Sequence, residues 1–314
     1  MKLAAPTIDA VRAAAALIAR HIRRTPLVPI DGGHLKLESL QPTASFKVRG
    51  FFTAALAAPH DRRAAGLMTV SAGNAALACA HVAKYLGIPC RVMMFDTAPQ
   101  AKRAGVERLG ATVIPLPFQE LLDWMTNERW HDEPELFIHP FADEAVMTGN
   151  GTLALEILDQ LPEVDRVVVP VGGGGLVVGV AATIKAIRPE VEVVGVQSDG
   201  YPLWRDAFQA GGPVSLKPNT IADGTTGPFT GAMFELLQDH VDRWVVVPEG
   251  DVRRAVAELA IRGKVVAEGA GALAFGALSM LESRPGTVAV VSGGNIDPGR
   301  LAELLSEYAA TLSG

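Results

Sequence analysis

The feature of this sequence that most constrains its fold is a repeated alternation between short runs rich in valine and isoleucine and longer runs rich in alanine and leucine. The short runs have the length of strands and lie at residues 66–70, 89–95, 111–114, 166–170, 191–196 and 288–291. The first two are followed by helical patterns at residues 75–85 and 99–109. Continuous apolar strands separated by helices are typical of parallel sheets that are covered on both faces. The alternation therefore predicts a protein of the α/β class.

The length of the chain and the spacing of the strands predict two domains. A chain of 314 residues is long enough for one large core or two medium cores. Three of the predicted strands fall within residues 63–143, and this segment carries turn signals of its own. We therefore expect a small α/β domain at residues 63–143, inserted into a larger domain made of residues 1–62 and 144–314.

The composition argues against several classes of protein. The formal net charge of −6 disfavours a nucleic-acid-binding surface and suits a protein that handles small molecules. No apolar run approaches the roughly 18–20 residues that a membrane span needs, and no signal-peptide pattern is present. Cys79 and Cys90 lack the spacing of metal ligands and lie in apolar contexts, so we expect two buried thiols and a cytoplasmic protein.

Lys47 is the first candidate for chemistry. It follows the turn-forming residues 41–43 and lies between Phe46 and Val48, where a loop passes into a helix. Partial burial lowers the pKa of an amine and makes it a better nucleophile toward a carbonyl group. The pattern predicts a lysine that forms a Schiff base, although a surface lysine with a buried stem has the same local sequence.

The segment Ser71-Ala72-Gly73-Asn74-Ala75 predicts a helix terminus that binds an anion. It follows a predicted strand and opens a predicted helix. The first turn of a helix presents free N–H groups and a positive dipole end, which bind carboxylates and phosphates. The alternative is an ordinary helix start that is capped by Ser71 or Asn74.

Two further strand ends carry candidate ligand-binding loops. The tetraglycine Gly172 to Gly175 separates a strand from a helix that starts near Leu176, so its N–H groups can surround a phosphate. It lacks the third glycine of a dinucleotide-binding turn and the lysine of a nucleotide P-loop. Ser292 follows the last predicted strand, where α/β proteins place ligand contacts, with a plain turn as the alternative. Together with Lys47, these loops fit pyridoxal 5'-phosphate bound beside an amino acid.

In these motifs the chain resembles the fold-type II pyridoxal-phosphate enzymes, and within them the serine/threonine dehydratases (threonine ammonia-lyases) and serine racemases. The resemblance covers nearly the whole chain, and its motifs are specific in combination and in order. They are Lys36 to Thr43, Ser71 to Asn74, His139-Pro140-Phe141, Gly149-Asn150-Gly151-Thr152, Gly172 to Gly175, Thr220 to Gly224, Glu268 to Ala272 and Ser292 to Asn295. The resemblance implies two open, twisted, mostly parallel sheets flanked by helices, as in the β chain of tryptophan synthase. It also implies an active site between the domains and a homodimer.

The resemblance assigns roles around the cofactor. Lys47 would hold pyridoxal phosphate through a Schiff base and then take the α-proton of the substrate. Phe46 would lie beside the cofactor ring, Asn74 would contact its phenolic oxygen, and Ser292 its pyridine nitrogen. The phosphate would be held by the loop that consists of Gly172, Gly173, Gly174, Gly175 and Leu176. A neutral serine at position 292 favours loss of a β-leaving group over transamination.

The resemblance also places the substrate. Its carboxylate would be bound by Ser71, as a catalytic and substrate-binding residue, and by the segment that follows it, which consists of Ala72, Gly73, Asn74 and Ala75. Ala72 stands where racemases carry a second serine that acts as an acid on the opposite face. We therefore expect dehydration of the substrate rather than its racemisation.

Other departures from the family pattern bear on the substrate and on metal binding. Ala75 replaces a histidine, Asn150 replaces a glutamine, and Thr225-Thr226 form an unusually polar loop. From these three changes we hypothesise a β-hydroxy amino acid other than threonine or serine as the substrate, with neutral drift as the alternative. Gln197 replaces a glutamate of members that bind a divalent cation, so we expect no strong requirement for magnesium or manganese and no metal site.

The sequence therefore predicts an ammonia-lyase that removes water from a β-hydroxy amino acid, L-threonine, L-serine or a relative, and releases a 2-oxo acid and ammonia. The group that protonates the leaving hydroxyl is left open between the cofactor phosphate, a threonine of the 225–226 loop and a water. A racemase or a β-replacement enzyme of the same fold is the alternative, although residues 292–295 argue against replacement. A cofactor-binding protein without catalysis and a nicotinamide-dependent oxidoreductase fit less well, because the lysine set is intact and the dinucleotide turn is absent.

Overall fold

The computed structural model describes residues 3–312, which form two sheets flanked by helices. The strands are β1 (Leu27–Ile30), β2 (Gly33–Leu37), β3 (Leu67–Val70), β4 (Cys90–Phe95), β5 (Thr112–Leu116), β6 (Leu136–Phe137), β7 (Arg166–Pro170), β8 (Glu192–Ser198), β9 (Arg243–Val247) and β10 (Thr287–Val291). The helices before residue 150 are α1 (Ile8–Ile18), α2 (Lys47–Ala57), α3 (His60–Ala64), α4 (Asn74–Leu86), α5 (Gln100–Glu107), α6 (Phe118–Thr126) and α7 (Glu144–Gln160). The later helices are α8 (Gly175–Ile187), α9 (Leu203–Ala210), α10 (Gly231–His240), α11 (Glu249–Ile261), α12 (Gly269–Gly276) and α13 (Pro298–Leu312).

The larger sheet has six strands in the order β1-β2-β10-β7-β8-β9. All neighbours are parallel except β1, which pairs with β2 in antiparallel fashion. Valines of the central strand β7 alternate between the two faces: Val167 and Val169 join one core cluster, and Val168 joins the other. Burial on both faces explains why this strand is a continuous apolar run rather than an alternating one.

The smaller sheet has four parallel strands in the order β5-β4-β3-β6, all of which lie between residues 67 and 137. One face is covered by α4 and by α2, whose Phe51 and Phe52 are fully buried in the same core cluster as Ala76. The other face packs against Trp124 of α6. The α/β class and the two mostly parallel sheets are therefore confirmed.

All six strands predicted from valine and isoleucine content are present, but β1, β2, β6 and β9 were not predicted. The strand β1 contains Pro29, and β2 contains the charged side chain of Lys36, which is completely buried. Its Nζ donates to the carbonyl of Thr25 at 2.7 Å, to Glu156 at 2.6 Å and to Gln160 at 2.8 Å. A lysine is tolerated in a strand core only with such partners, and these partners come from distant parts of the chain.

A second buried ion pair fixes α2, the helix that begins at Lys47. The guanidinium of Arg49 donates to both carboxylate oxygens of Glu38, at 2.7 and 2.8 Å, and to Glu156 at 2.8 Å. Both Arg49 and Glu38 are fully buried. Burial opposes ionisation of Glu38, but the charge and hydrogen bonds of Arg49 outweigh it and hold the pKa of Glu38 below its ordinary value. The network therefore ties α2 to the segment after β2 and to α7.

Cys79 and Cys90 are buried free thiols, as predicted, with their sulfur atoms 3.7 Å apart. Within residues 3–312, no helix is both long enough and apolar enough to cross a membrane.

Candidate active site

The four predicted sequence features converge at one edge of the two sheets. Ser71 follows β3, Gly172 follows β7 and Ser292 follows β10, so all three lie at the carboxyl ends of parallel strands. Lys47 begins α2. In α/β proteins, ligands bind in the crevice at this edge.

The amine of Lys47 is held in a desolvated position. Its Nζ donates to the carbonyl oxygen of Pro140 at 2.6 Å and lies 5.1 Å from the centre of the Phe46 ring. Burial lowers the pKa of Lys47 from 10.5 to about 8, and the nearby Glu268 partly opposes this shift. A substantial fraction of the amine is therefore unprotonated near neutral pH, as a nucleophile or a base requires.

The lysine loop is joined to the loop of Ser292 by main-chain contacts. The N–H of Phe46 donates to the carbonyl of Ser292 at 3.0 Å, and the N–H of Gly294 donates to the carbonyl of Ala44 at 2.8 Å. Ser45 and Gly293 form a β-bridge between them. Because these contacts are made by the backbone, they set the spacing of Lys47 and Ser292 with little dependence on side-chain rotamers. The hydroxyl of Ser292 is buried and donates to the carbonyl of Ala270 over a long 3.4 Å.

His139 lies beside Lys47 and is neutral. Burial, together with the positive charge of Lys47, lowers the pKa of His139 to about 4. Its Nδ1 accepts hydrogen bonds from the N–H groups of Phe141 at 3.3 Å and Ala142 at 2.9 Å, so the neutral ring carries its hydrogen on Nε2. His139 thereby shapes the turn whose Pro140 carbonyl holds the amine of Lys47.

The Ser71 segment forms the start of α4, as predicted. Ser71 Oγ accepts from the N–H of Gly73 at 3.0 Å, and the helix begins at Asn74 without a side-chain cap. A Cβ placed on Gly73 would meet no atom within 4 Å, so the backbone there faces open space. Free N–H groups beside open space suit a carboxylate. Ala72 is half-buried, whereas Ala75 is packed in the core cluster around α4, and its contact with substrate stays a prediction.

Glu268 is a site residue that the sequence reasoning missed. Its carboxylate accepts a hydrogen bond from the side-chain amide of Asn74 at 2.5 Å. Burial raises the pKa of Glu268 to about 7, although the bond from Asn74 opposes the shift. The signal was in the Glu268 to Ala272 motif, which was recognised without a role for its first residue. Asn74 also accepts from Asn295 at 2.7 Å, so both ends of its amide are engaged.

The tetraglycine makes a narrow turn into α8. Gly174 has φ of +93°, a conformation that favours glycine, and no side chain caps the helix. A Cβ at Gly173 would collide with the ring of Phe141, and one at Gly172 would lie 2.9 Å from the Cα of Thr225. The first N–H groups of a helix lack intrahelical partners, so this turn is suited to an anion.

The positions that depart from the family pattern lie in different places. Thr225 packs against Gly172 and donates to the carbonyl of Ala222 at 2.7 Å. Asn150 is buried, and its amide donates to the carbonyl of Gly175 at 3.1 Å. Gln197 accepts from the N–H groups of Trp204 and Arg205 at 3.0 and 3.1 Å and so caps the start of α9. Thr225 and Asn150 therefore border the tetraglycine, and the amide of Gln197 has a structural role.

These residues fit pyridoxal phosphate. The turn at Gly172 to Gly175 admits an anion but no side chain, and the buried amine of Lys47 is a ready carbonyl nucleophile. The open backbone at Gly73 leaves room for a second anion. A phosphate, an aldehyde and an amino-acid carboxylate would each find a matching group at this edge of the sheets.

Comparisons with known proteins agree with the geometry. Residues 18–293 match the family described as "Pyridoxal-phosphate dependent enzyme". The chain is 37% identical to the L-threonine ammonia-lyase of Thermotoga maritima, over 96% of this chain and 78% of that protein. It is 36% identical to the L-threonine dehydratase catabolic TdcB of Staphylococcus aureus, over 94% of this chain and 90% of that protein.

Solved structures show the same architecture. The structure of maize serine racemase superposes with a TM-score of 0.87 at 30% identity, covering 99% of this chain and 100% of that one. The threonine deaminase of an organism abbreviated T.th. superposes with a TM-score of 0.84 at 33% identity, covering 93% of this chain and 99% of that one. The racemase and the deaminase therefore share one fold with this chain.

Proposed function

Because this chain belongs to the family of pyridoxal-phosphate-dependent enzymes, we propose that it is an ammonia-lyase that removes water from a β-hydroxy amino acid. The products are a 2-oxo acid and ammonia. L-threonine and L-serine are the first candidate substrates, since two relatives above 35% identity bear the names of L-threonine ammonia-lyase and dehydratase. A β-hydroxy amino acid with a different side chain is the competing hypothesis from the changes at residues 75, 150 and 225–226.

One observation carries the proposal most directly. The amine of Lys47, with a pKa of about 8, is joined through the N–H of Phe46 to the carbonyl of Ser292 at 3.0 Å. A nucleophilic lysine and a neutral hydroxyl thus lie on directly connected loops. In this family arrangement the lysine would bind the cofactor aldehyde, Ser292 would meet the ring nitrogen, and the turn of residues 172–176 would hold the phosphate.

When bound, pyridoxal phosphate supplies an electron sink that makes the α-proton of an amino acid acidic. The residues of this chain would supply the rest. The amine of Lys47 would accept the α-proton, because its lowered pKa leaves it free near neutral pH. Ser71 and the free N–H groups at the start of α4 would orient the substrate carboxylate. His139 would keep the Pro140 carbonyl in position beside Lys47.

We also propose a two-domain arrangement, with residues 63–143 as the small domain and residues 1–62 with 144–314 as the large one. An ion pair of 2.7 Å between Lys102 of α5 and Asp223 supports contact across the cleft at the site. Closure would exclude water from the reacting groups.

We further propose a cytoplasmic homodimer that takes a small amino acid as its substrate. Exposed apolar side chains on neighbouring segments support an interface: they are Leu17, Leu40 and Tyr85, which are 40%, 44% and 55% exposed. His21 contacts the ring of Tyr85, and Arg23 donates to the carbonyl of Leu40, so these segments are adjacent. The molar mass in solution, measured by light scattering, tests the dimer.

A racemase is the second candidate, because maize serine racemase has this fold at 30% identity. A racemase needs an acid or base on each face of the α-carbon. Ala72, which occupies the expected position of the second one, has no titratable group, and this favours the lyase.

The test is release of 2-oxo acid from a panel of L-threonine, L-serine, 3-phenylserine and 3-hydroxyaspartate, with Lys47→Ala beside the wild-type enzyme. The proposal expects oxo acid from at least one substrate and none from Lys47→Ala. Bound cofactor without oxo acid from any substrate would contradict the lyase and favour racemisation or β-replacement. A specificity constant far higher for threonine than for the others would remove the hypothesis of a different substrate.

A further inference from the structure

A second cavity lies at the opposite edge of the six-stranded sheet from the candidate active site. It has a volume of about 300 Å³, which is large enough for a small metabolite. Its inner end is formed by Arg166 and Thr287, which pair across the amino ends of β7 and β10. Because these strands are parallel, the loops that carry Gly172 and Ser292 leave from their other ends.

The inner end of this cavity presents hydrogen-bond donors. Arg166 is completely buried; its Nε donates to Glu192 at 2.7 Å and its Nη1 to the carbonyl of Glu282 at 2.8 Å. Its Nη2, however, has no hydrogen-bond partner among residues 3–312. The hydroxyl of Thr287, which is 1% exposed, likewise has none within the described chain. Buried donors of this kind are rarely left without an acceptor, and a carboxylate offers two acceptor oxygens.

The rim of the cavity is acidic. Asp31 and Glu282 are exposed, Asp251 and Glu258 are half-buried, and all four line the opening. One of them, Asp251, is paired with Arg254 at 2.9 Å. An acidic rim disfavours a ligand that carries only negative charge, but it suits a ligand whose outer end is an ammonium group.

The remaining wall is apolar. Phe275, Leu278 and Leu281 line the cavity and pack against the core cluster of this face of the sheet. A side chain without polar atoms would be covered there. The cavity thus offers a carboxylate site inside, an ammonium site at the rim and an apolar wall.

We propose that this cavity binds a free amino acid with an apolar side chain, with its carboxylate at Arg166 and Thr287. Both β10 and α12 run from this cavity to the candidate active site, since α12 starts beside Glu268 and ends at Gly276, which lines the cavity. Occupancy would therefore act on the two elements that carry Ser292 and Glu268.

The test is calorimetric titration of the holoenzyme with L-leucine, 4-methylpentanoate and 3-methylbutylamine. The last two lack the ammonium and the carboxylate, respectively. We expect saturable binding of leucine and binding of both analogues that is about tenfold weaker or more. Equal binding of 4-methylpentanoate would overturn the assignment of a zwitterion, and no binding of leucine at millimolar concentration would overturn the site.

Variants locate the binding. Ser279→Trp places a ring over the cavity opening from an exposed position, and Met280→Trp is its matched control, because Met280 is 45% exposed and does not line the cavity. Thr287→Val removes the inner hydroxyl while keeping its shape. We expect Ser279→Trp to abolish leucine binding, Thr287→Val to weaken it about tenfold, and Met280→Trp to leave it unchanged. Leucine binding that survives in Ser279→Trp and changes the cofactor absorption would place leucine in the active site and overturn the proposal.

Discussion

The side-chain amide of Asn74 donates to the carboxylate of Glu268 at 2.5 Å, which joins the start of α4 to the residue that precedes α12. The two residues are 194 positions apart in sequence. Asn74 was expected from the sequence as a cofactor contact, whereas its partner was not. A carboxyl group with a pKa of about 7 therefore borders the predicted binding site of the cofactor ring.

The first prediction concerns the pH dependence of stability in Glu268→Gln. In the wild-type protein, burial raises the pKa of Glu268 from 4.5 to about 7, so between these values the folded state holds a proton that the unfolded state has lost. This residue therefore destabilises the fold progressively as pH rises from 4.5 to about 7, and fully above it. We expect the free energy of unfolding of Glu268→Gln to gain on that of the wild type over this interval, as measured by urea titration. Parallel pH profiles for the two proteins would contradict the assignment.

The second prediction concerns the tetraglycine. Gly173→Ala puts a methyl group into the ring of Phe141 and disturbs the turn that would hold the cofactor phosphate. We expect the affinity for pyridoxal phosphate to fall at least about tenfold, as measured by absorption during titration of the apoenzyme. Gly250→Ala in α11 is the matched control, because its Cβ would meet no atom within 4 Å. That control should bind the cofactor normally and gain up to about 1 kcal/mol of stability.

The third prediction concerns the buried ion pair of α2. Glu38→Ala leaves the guanidinium of Arg49 buried with only Glu156 as its ionic partner. We expect a loss of about 3–5 kcal/mol in the free energy of unfolding, because an uncompensated charge stays in the core. Glu307→Ala breaks an exposed ion pair with Arg253 and should change stability little. Similar urea midpoints for both variants would show that the buried network does not stabilise the fold.

The fourth prediction concerns the ion pair between Lys102 and Asp223. Lys102→Ala removes this exposed contact across the proposed cleft, and we expect kcat/KM to fall about two- to fivefold with little change in stability. The deficit should shrink at high ionic strength, because salt already screens the wild-type pair. Steady-state kinetics at low and high salt, with Lys84→Ala as an exposed control, provide the measurement. A deficit that does not depend on salt would point to another role for Lys102.

The sequence by itself determined the α/β class, the six valine- and isoleucine-rich strands and the loops that follow β3, β7 and β10. These features are local, because a buried parallel strand must be apolar on both faces and a turn that admits only a ligand must be built from glycine. Lys47 was also identifiable, since its neighbours Phe46 and Val48 already implied a desolvated amine.

The tertiary structure alone decided which distant residues meet. The strand β2 could not be recognised, because its buried Lys36 is compatible with a sheet only through Thr25, Glu156 and Gln160. Glu268 became a site residue only when folding buried it against Asn74 and raised its pKa. Burial and electrostatic environment are properties of packed neighbours rather than of adjacent residues in the chain. For that reason the chemistry of Glu268 and the cavity at Arg166 emerge only in three dimensions.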